Sequence, residues 1–269
     1  MLFSTLELPR AVENILKYSR FRSIELSHGH LERIRAEEWR RVLKNVEEVV
    51  SSFGAKIVVT HLPADHRHCI ARNLSDVERI AKLLSREAEQ VREVIGCELF
   101  VIHTVFYYPP SPRESMRRWI EHAYELNREL LRILDAEARA LGIHFAVENR
   151  VEKHVVGHLV GDLLEVVEGL ERVGLCIDLG HAHANGLDLR EVLAASRDRV
   201  LCYHIHDNDG TRDQHLPPFM GSIRWDEVAE LMRRDRVGVL EVSCQLGEAC
   251  RGVLKLVELA VMNLQRSEK

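Results

Sequence analysis

Short apolar runs alternate with longer segments of helical periodicity along the whole sequence, and this alternation limits the fold more than any other feature. The runs are apolar throughout, which is typical of parallel strands that are covered on both faces. Eight strands that alternate with helices predict an α/β fold, a closed (β/α)8 barrel. The predicted strands are Leu2–Leu6, Ser23–Ser27, Lys56–His61, Glu98–Thr104, Ile143–Asn149, Gly174–Asp178, Val200–His206 and Val237–Val242.

An open, doubly wound parallel sheet is the alternative arrangement of the same elements. Its dinucleotide-binding form would carry a Gly-x-Gly-x-x-Gly turn after an early strand, and the sequence has none there. The length of 269 residues suits a (β/α)8 barrel, which commonly has about 250. No linker or change of composition divides the chain, so a single domain over residues 1–269 is predicted.

Composition and charge narrow the class of protein. Hydrophobic residues make up 46% and charged residues 29%, which is enough for a large core with a charged surface. The formal net charge of −5 argues against a double-stranded nucleic acid as partner, because such proteins usually present a basic face. The cysteines form no Cys-x-x-Cys pair, and no apolar run approaches the roughly 18 residues of a membrane span. We therefore expect a cytoplasmic protein that does not enter a membrane.

Titratable residues close six of the predicted strands at their C-terminal ends, where barrel enzymes have their active sites. Any one of these residues alone would be better explained as a hydrogen-bonded structural residue. Burying six such groups in succession requires a common partner, and a divalent cation supplies one. Mixed oxygen and nitrogen ligands suit Zn, Mn, Co, Mg or Fe(II). The residues are His61, His103, Glu148, Asp178, His204 or His206, and Glu241.

The segment that follows the strand Val200–His206 contains a second pair of candidate ligands. Asp213 and His215 have a spacing that can present a carboxylate and an imidazole to the same cation. A polar turn rich in Asn, Asp and Gly explains this segment equally well.

These motifs resemble those of the xylose isomerase-like TIM barrels, which include sugar isomerases and epimerases and the endonuclease IV group. The resemblance covers nearly the whole chain and rests on Glu148-Asn, Asp178-Leu-Gly-His181, His204-x-His-Asp, Asp213-Gln-His215-Leu-Pro and Glu241. For the sugar enzymes it implies a substrate contact from His181 and four core metal ligands: Glu148, Asp178, His204 and Glu241. For the endonuclease IV group it implies three zinc ions and nine ligands, all with candidates here: His61, His103, Glu148, Asp178, His181, His204, Asp213, His215 and Glu241.

Two features depart from the pattern of the sugar enzymes. Many of them continue the Asp-x-His-Leu-Pro stretch with Gly-Glu-Gly, where this chain has Phe219–Gly221, so one expected carboxylate is missing. The ligand on the strand Val200–His206 is also open. The following Asp207 favours His204, whereas Arg212 stands six residues after His206, which is the spacing of ketose epimerases. Both imidazoles point to the same side of the strand, so either could reach the metal.

The first predicted function is a metal-dependent isomerase or epimerase of a sugar or sugar phosphate. Glu148 and Glu241 would remove and deliver a proton on opposite sides of the substrate, while the metal stabilises an enediolate. Substrate hydroxyls would be bound by His181, His206 and Arg212.

The alternative is an endonuclease IV-like, zinc-dependent phosphodiesterase that acts on abasic DNA. The complete set of nine ligand types favours it, and the acidic net charge opposes it. A barrel that binds metal and ligand without turnover is a third hypothesis. The sequence leaves open the sugar, the metal (Zn, Mn or Co), the number of ions between one and three, and whether the chain forms a homo-oligomer.

Overall fold

A computed structural model describes residues 8–27, 38–62, 69–107, 115–153, 155–242, 252–259 and 262. Helices and strands alternate through these ranges. In chain order they are α1 (Leu8–Tyr18), β1 (Ser23–Ser27), α2 (Trp39–Ser52), β2 (Lys56–His61), β3 (Ile70–Ala71), α3 (Leu74–Ile95), β4 (Leu99–Ile102), β5 (Phe106–Tyr107), α4 (Met116–Leu141), β6 (His144–Glu148), α5 (Val160–Val166), β7 (Val173–Asp178), α6 (Leu179–Ala184), α7 (Leu189–Ser196), β8 (Val200–Ile205), α8 (Trp225–Leu231), β9 (Val237–Leu240) and α9 (252–259).

Seven of the described strands form one parallel sheet in the order β1-β2-β4-β6-β7-β8-β9. The order follows the chain without reversing, as in a barrel, whereas a doubly wound sheet reverses at one point. The predicted barrel is therefore confirmed as a nearly closed sheet, and the open alternative is excluded. Seven predicted strands are found with ends that differ by at most two residues, and Leu2–Leu6 lies outside the described residues. A separate two-stranded sheet of β3 and β5 was not predicted.

The helices cover the outside of the sheet with apolar stripes. In α3 the fully buried side chains recur at helical spacing: Val77, Ile80, Ala81, Leu84, Ala88 and Val91. This helix begins where Asn73 accepts a hydrogen bond from the backbone N–H of Asp76 at 3.1 Å. It ends at Gly96, whose φ of 78° is the left-handed conformation that glycine adopts without strain. Among the described helices, none is both long and apolar enough to cross a membrane.

A second, smaller apolar cluster fills the inside of the barrel. Each of its members is fully buried: Val59, Val101, Ala146, Cys176 and Cys202. Small side chains suit this position, because strands of a narrow barrel face one another across a short distance. The cluster fills the barrel interior directly below the C-terminal ends of the strands.

Candidate metal centre

The two-residue period of the strands carries titratable side chains to the mouth of the barrel. Successive side chains of a strand point to opposite faces, so residues two apart share a face. Each member of the inner apolar cluster is followed two positions later by a predicted ligand: His61, His103, Glu148, Asp178 and His204. On the inward side of the sheet, each of these strands therefore changes from an apolar to a titratable side chain at the same height along the barrel axis. Glu241 joins this level directly after β9.

Four side chains form the core group: Glu148, Asp178, His204 and Glu241. Nδ1 of His204 lies 3.1 Å from Oε1 of Glu148 and 3.1 Å from Oε2 of Glu241. It lies 3.9 Å from Oδ2 of Asp178. One ligand atom from each residue falls within 4.8 Å of the others, so the predicted core set is brought together.

Glu148 also belongs to a first outer group with His61 and His103. Its Oε2 is 2.9 Å from Nε2 of His61 and 2.8 Å from Nε2 of His103. Its other oxygen faces the core group, so this buried carboxylate connects the two groups. Glu148 could therefore supply a ligand oxygen to each of the two groups.

A second outer group consists of His181, His206, Asp213 and His215. Oδ2 of Asp213 lies 3.4 Å from Nε2 of His181 and 3.1 Å from Nε2 of His215. Helix α6 supplies His181, because Asp178 caps the start of this helix by accepting the backbone N–H of His181. The start of one short helix thus fixes the position of His181 in the second outer group relative to Asp178 in the core group.

The imidazoles of three predicted ligands have fixed tautomers that suit a metal. Nδ1 of His61 donates to the carbonyl of Leu62 at 2.9 Å, and Nδ1 of His181 donates to the carbonyl of Asn149 at 2.9 Å. Nδ1 of His215 donates to the carbonyl of Glu241 at 2.7 Å. In each ring Nε2 is left as the nitrogen that can bind an ion. Ligating histidines almost always have such a partner on the other nitrogen.

Buried polar atoms without partners also fit a site that holds cations. Within the described part of the chain, no hydrogen bond reaches Nδ1 of His103, Nδ1 of His206 or Oδ1 of Asp213. Each buried polar atom left without a partner lowers the stability of the fold by about 1–3 kcal/mol. Together with the donor set of imidazoles and carboxylates, these atoms match the ligands that Zn²⁺ takes.

The histidines and carboxylates of the three groups shift one another's pKa values. Burial raises the pKa of Glu148, but the charge of His204 and the hydrogen bonds from His103 and His204 outweigh it and hold this pKa well below its usual value. Burial lowers the pKa of His204, but the surrounding charges, including those of Glu25 and Glu148, leave it well above normal. Burial and the charge of Arg150 lower the pKa of His103 to about 4, so this imidazole stays neutral near pH 7. Metal binding would therefore displace protons.

The loop between β8 and α8 is folded around Asp207. This side chain accepts the backbone N–H of Ile223 at 3.1 Å and the indole N–H of Trp225 at 2.8 Å. Its backbone pairs with Leu216 in both directions. His215 next to this pair has a φ of 50°, which is uncommon for a residue other than glycine. The hydrogen bonds of Asp207 thus hold His215, a candidate ligand, in a strained conformation, and strained residues cluster at functional sites.

The structure gives different places to His204 in β8, to His206 directly after β8 and to Arg212 in the loop that follows. His204 lies in the core group, and His206 lies in the second outer group, stacked on His215 with ring centroids 4.1 Å apart. Nε2 of His206 is 3.0 Å from Asp178 and its side chain is fully buried, so this placement does not favour the predicted contact with substrate. Arg212 is exposed and stands outside the three groups, and its substrate contact stays a prediction.

Sequence reasoning missed Glu25, which lies in the middle of β1. Its Oε2 is 3.0 Å from Nε2 of His204, and only 8% of its side chain is exposed. The available signal was a single charged residue inside a short predicted strand, Ser-Ile-Glu-Leu-Ser.

Comparison with known proteins gives a consistent picture of the fold. The family model described as xylose isomerase-like TIM barrel matches residues 15–248. A crystal structure of a D-tagatose 3-epimerase-like protein superposes with a TM-score of 0.79 at 19% identity, covering 99% of this chain and 97% of that one. The IolI protein, solved with a bound zinc atom, gives a TM-score of 0.71 at 16% identity over 98% of this chain and 94% of that one.

Two curated relatives add sequence similarity. The chain is 32% identical over 219 residues to "Probable endonuclease 4" of Methanoculleus marisnigri, covering 73% of each protein. It is 27% identical over 199 residues to an uncharacterized protein of Methanocaldococcus jannaschii. That match covers 71% of this chain but 64% of the relative, so the chain spans less than two thirds of that protein.

Proposed function

The chain belongs to the xylose isomerase-like TIM barrel family, and we propose that within it the protein is a metal-dependent hydrolase of phosphodiesters. The observation that carries this proposal is the sharing of Glu148 between two groups of ligands. Both of its oxygens face imidazoles, at 2.8 Å to His103, 2.9 Å to His61 and 3.1 Å to His204. A proton-transferring base needs a free oxygen and a pKa near the working pH, whereas a shared ligand needs an anion with both oxygens engaged.

The two outer groups support the same reaction. Proton transfer at a sugar carbon needs the core group alone, whereas phosphodiester cleavage by two or three ions uses further ligands. The geometry of His61 with His103, and of Asp213 with His181 and His215, supplies those ligands. Similarity to a protein named as an endonuclease 4 supports this choice as well.

The chain's own residues would bind the ions, fix their ligands and admit the substrate. Bound by the three groups of candidate ligands, divalent ions would activate water and would neutralise the charge that develops on phosphate oxygens. Among the four core side chains Glu241 is the least buried, with 36% of its side chain exposed, so substrate and water would enter on its side. A bond would form between a water oxygen and phosphorus as that water loses a proton. The bond from phosphorus to the leaving oxygen would break, and that oxygen would take up a proton and depart as an alcohol, leaving a phosphomonoester.

Metal content and hydrolysis, measured on the same samples, test the proposal. We expect three zinc ions per chain and cleavage of bis(p-nitrophenyl) phosphate or of a duplex with an abasic site. The His61→Ala and Asp213→Asn variants should each lose an ion and most of the activity. The His144→Ala variant is the matched control, because this imidazole lies at the opposite end of β6. One ion per chain with no cleavage of either substrate would refute the proposal.

An isomerase or epimerase of a sugar is the second candidate. The pair of Glu148 and Glu241 favours it, because both carboxylates converge on the same imidazole nitrogen at 3.1 Å and could flank a substrate carbon. The likeness to solved epimerase-like barrels agrees with it at the level of the fold. Incorporation of solvent deuterium into a ketose, abolished in Glu241→Gln, would establish this reaction in place of hydrolysis.

A further inference from the structure

His204 presents its two ring nitrogens to different surroundings. Nδ1 faces the core carboxylates, whereas Nε2 lies 3.0 Å from Oε2 of Glu25. Glu25 is absent from the three groups of candidate ligands found among the described residues. Its contact is therefore with the far side of a ligand and not with the place where an ion would bind.

The position of Glu25 in the barrel is fixed by β1. Glu25 pairs with Val59 of β2, and Val59 belongs to the cluster inside the barrel. The Glu25 side chain consequently points inward and is almost fully buried. A buried carboxylate without a partner is costly, and the imidazole of His204 supplies a hydrogen-bond donor.

We propose that Glu25 is a positioning residue that fixes the tautomer and the orientation of His204 for metal binding. An acceptor at Nε2 holds the proton on that nitrogen and leaves the lone pair of Nδ1 for an ion. Because the His204 side chain is fully buried, bulk water cannot take the place of this acceptor. The inference rests on metal binding by the core group, which both candidate reactions need, and on neither reaction.

Other predicted ligands use a different kind of partner. His61, His181 and His215 donate Nδ1–H to backbone carbonyls, which no substitution removes. His204 depends on a carboxylate that is 179 residues away in the sequence. A carboxylate partner also makes the imidazole more basic than a carbonyl does, so it strengthens the ligand as well as orienting it.

The test measures metal affinity and the state of the ring instead of turnover. Metal-free wild type, Glu25→Met and Glu25→Asp are titrated with Co²⁺, whose visible absorption reports the ligand field. Met keeps the length of the side chain without a strong acceptor, whereas Asp keeps the charge but withdraws the carboxylate by one methylene. We expect about 10–100-fold weaker binding of one ion in both variants, which is the usual effect of removing such a partner. In the zinc-loaded wild type, ¹H–¹⁵N correlation should show His204 protonated at Nε2, and this signal should change in the variants.

Asp135→Asn is the control for a merely structural role. Asp135 is a buried carboxylate at the opposite end of the barrel, where it accepts the backbone N–H of Glu171 and Arg172. This variant should lose stability and keep the wild-type affinity and spectrum. Wild-type affinity and spectrum in both Glu25 variants would overturn the inference, and so would loss of the fold in both. A wild type that binds no metal would instead refute the proposed function, so the two failures can be told apart.

Discussion

Replacing Gly180 by alanine should disrupt the candidate metal centre through a single methyl group. Gly180 is the second residue of α6, and a Cβ added there would overlap the ring of His206. That ring is fully buried, and its Nε2 lies 3.0 Å from Oδ1 and 3.1 Å from Oδ2 of Asp178. The ring of His206 must either stay in place, pressed against the new methyl group, or turn away from Asp178, a candidate ligand of the core group.

Both outcomes have a magnitude that can be worked out. Overpacking a buried site typically costs about 1–3 kcal/mol. A lost hydrogen bond to a charged group costs about 1.5–3 kcal/mol. Alanine would return at most about 1 kcal/mol through its higher helix propensity. Relative to a Gly→Ala change that has the same gain in helix propensity and no overlap, we therefore expect Gly180→Ala to lower the free energy of unfolding by about 1–3 kcal/mol. Metal binding should also weaken if the ring turns away from Asp178.

Gly161→Ala is the matched comparison, because Gly161 is also the second residue of a helix and no atom lies within 4 Å of its added Cβ. Urea denaturation of both metal-free variants and Co²⁺ titration of both proteins give the two quantities. Gly161→Ala should be as stable as the wild type or slightly more stable, with unchanged affinity. Equal stability and equal affinity in the two variants would refute the packing argument for Gly180.

Three further results are expected. Phe219→Gly should raise the free energy of unfolding by about 1 kcal/mol in urea denaturation, because Phe219 has a φ of 70° at an exposed turn, whereas Met220→Gly should not. Burial lowers the pKa of His215 but nearby carboxylates raise it to about 9, so the metal-free protein should lose stability as the pH rises from 6.5 towards 9. Burial raises the pKa of Glu241, but the charge of His204 lowers it to about 2, so the protein should also lose stability as the pH falls from 4.5 towards 2. The urea midpoint should therefore be highest between these two pH ranges. Asp207→Ala should destabilise the loop by about 1–3 kcal/mol, because the indole N–H of Trp225 would be left buried and unpaired, and hydrogen exchange at that indole should rise.

The barrel, and the gathering of most candidate ligands at its mouth, could be predicted because strand periodicity is a local property. An apolar residue followed two positions later by His, Glu or Asp marks an inward face at the end of a strand, and Ala146 with Glu148 is one example. The choice between His204 and His206 could not be made in this way, since both share one face of the predicted strand Val200–His206. Their separation depends on the turn into α6, where Gly180 leaves room for the second ring.

Glu25 was missed for a related reason. Its partner is on a strand that is not its neighbour in the sequence or in the hydrogen-bonding order, and the two side chains meet only across the interior of the barrel. No local pattern reports which charged residue of an early strand will face which imidazole of a late one. The strain at Phe219 was also invisible, because it depends on the backbone conformation of one turn.

The unpaired atoms of the outer groups bear on which reaction the barrel has been shaped for. Nδ1 of His103, Nδ1 of His206 and Oδ1 of Asp213 lack partners within the described part of the chain. At about 1–3 kcal/mol each, their combined cost is comparable to the whole stability of many domains. A chain that needed the core ion alone could replace these residues by apolar ones and become more stable. Ions in the outer groups would give Oδ1 of Asp213 a partner, and bonds to the other nitrogens of His103 and His206 would offset part of the remaining cost. The presence of all three residues therefore supports the proposal that the protein uses all three groups of candidate ligands.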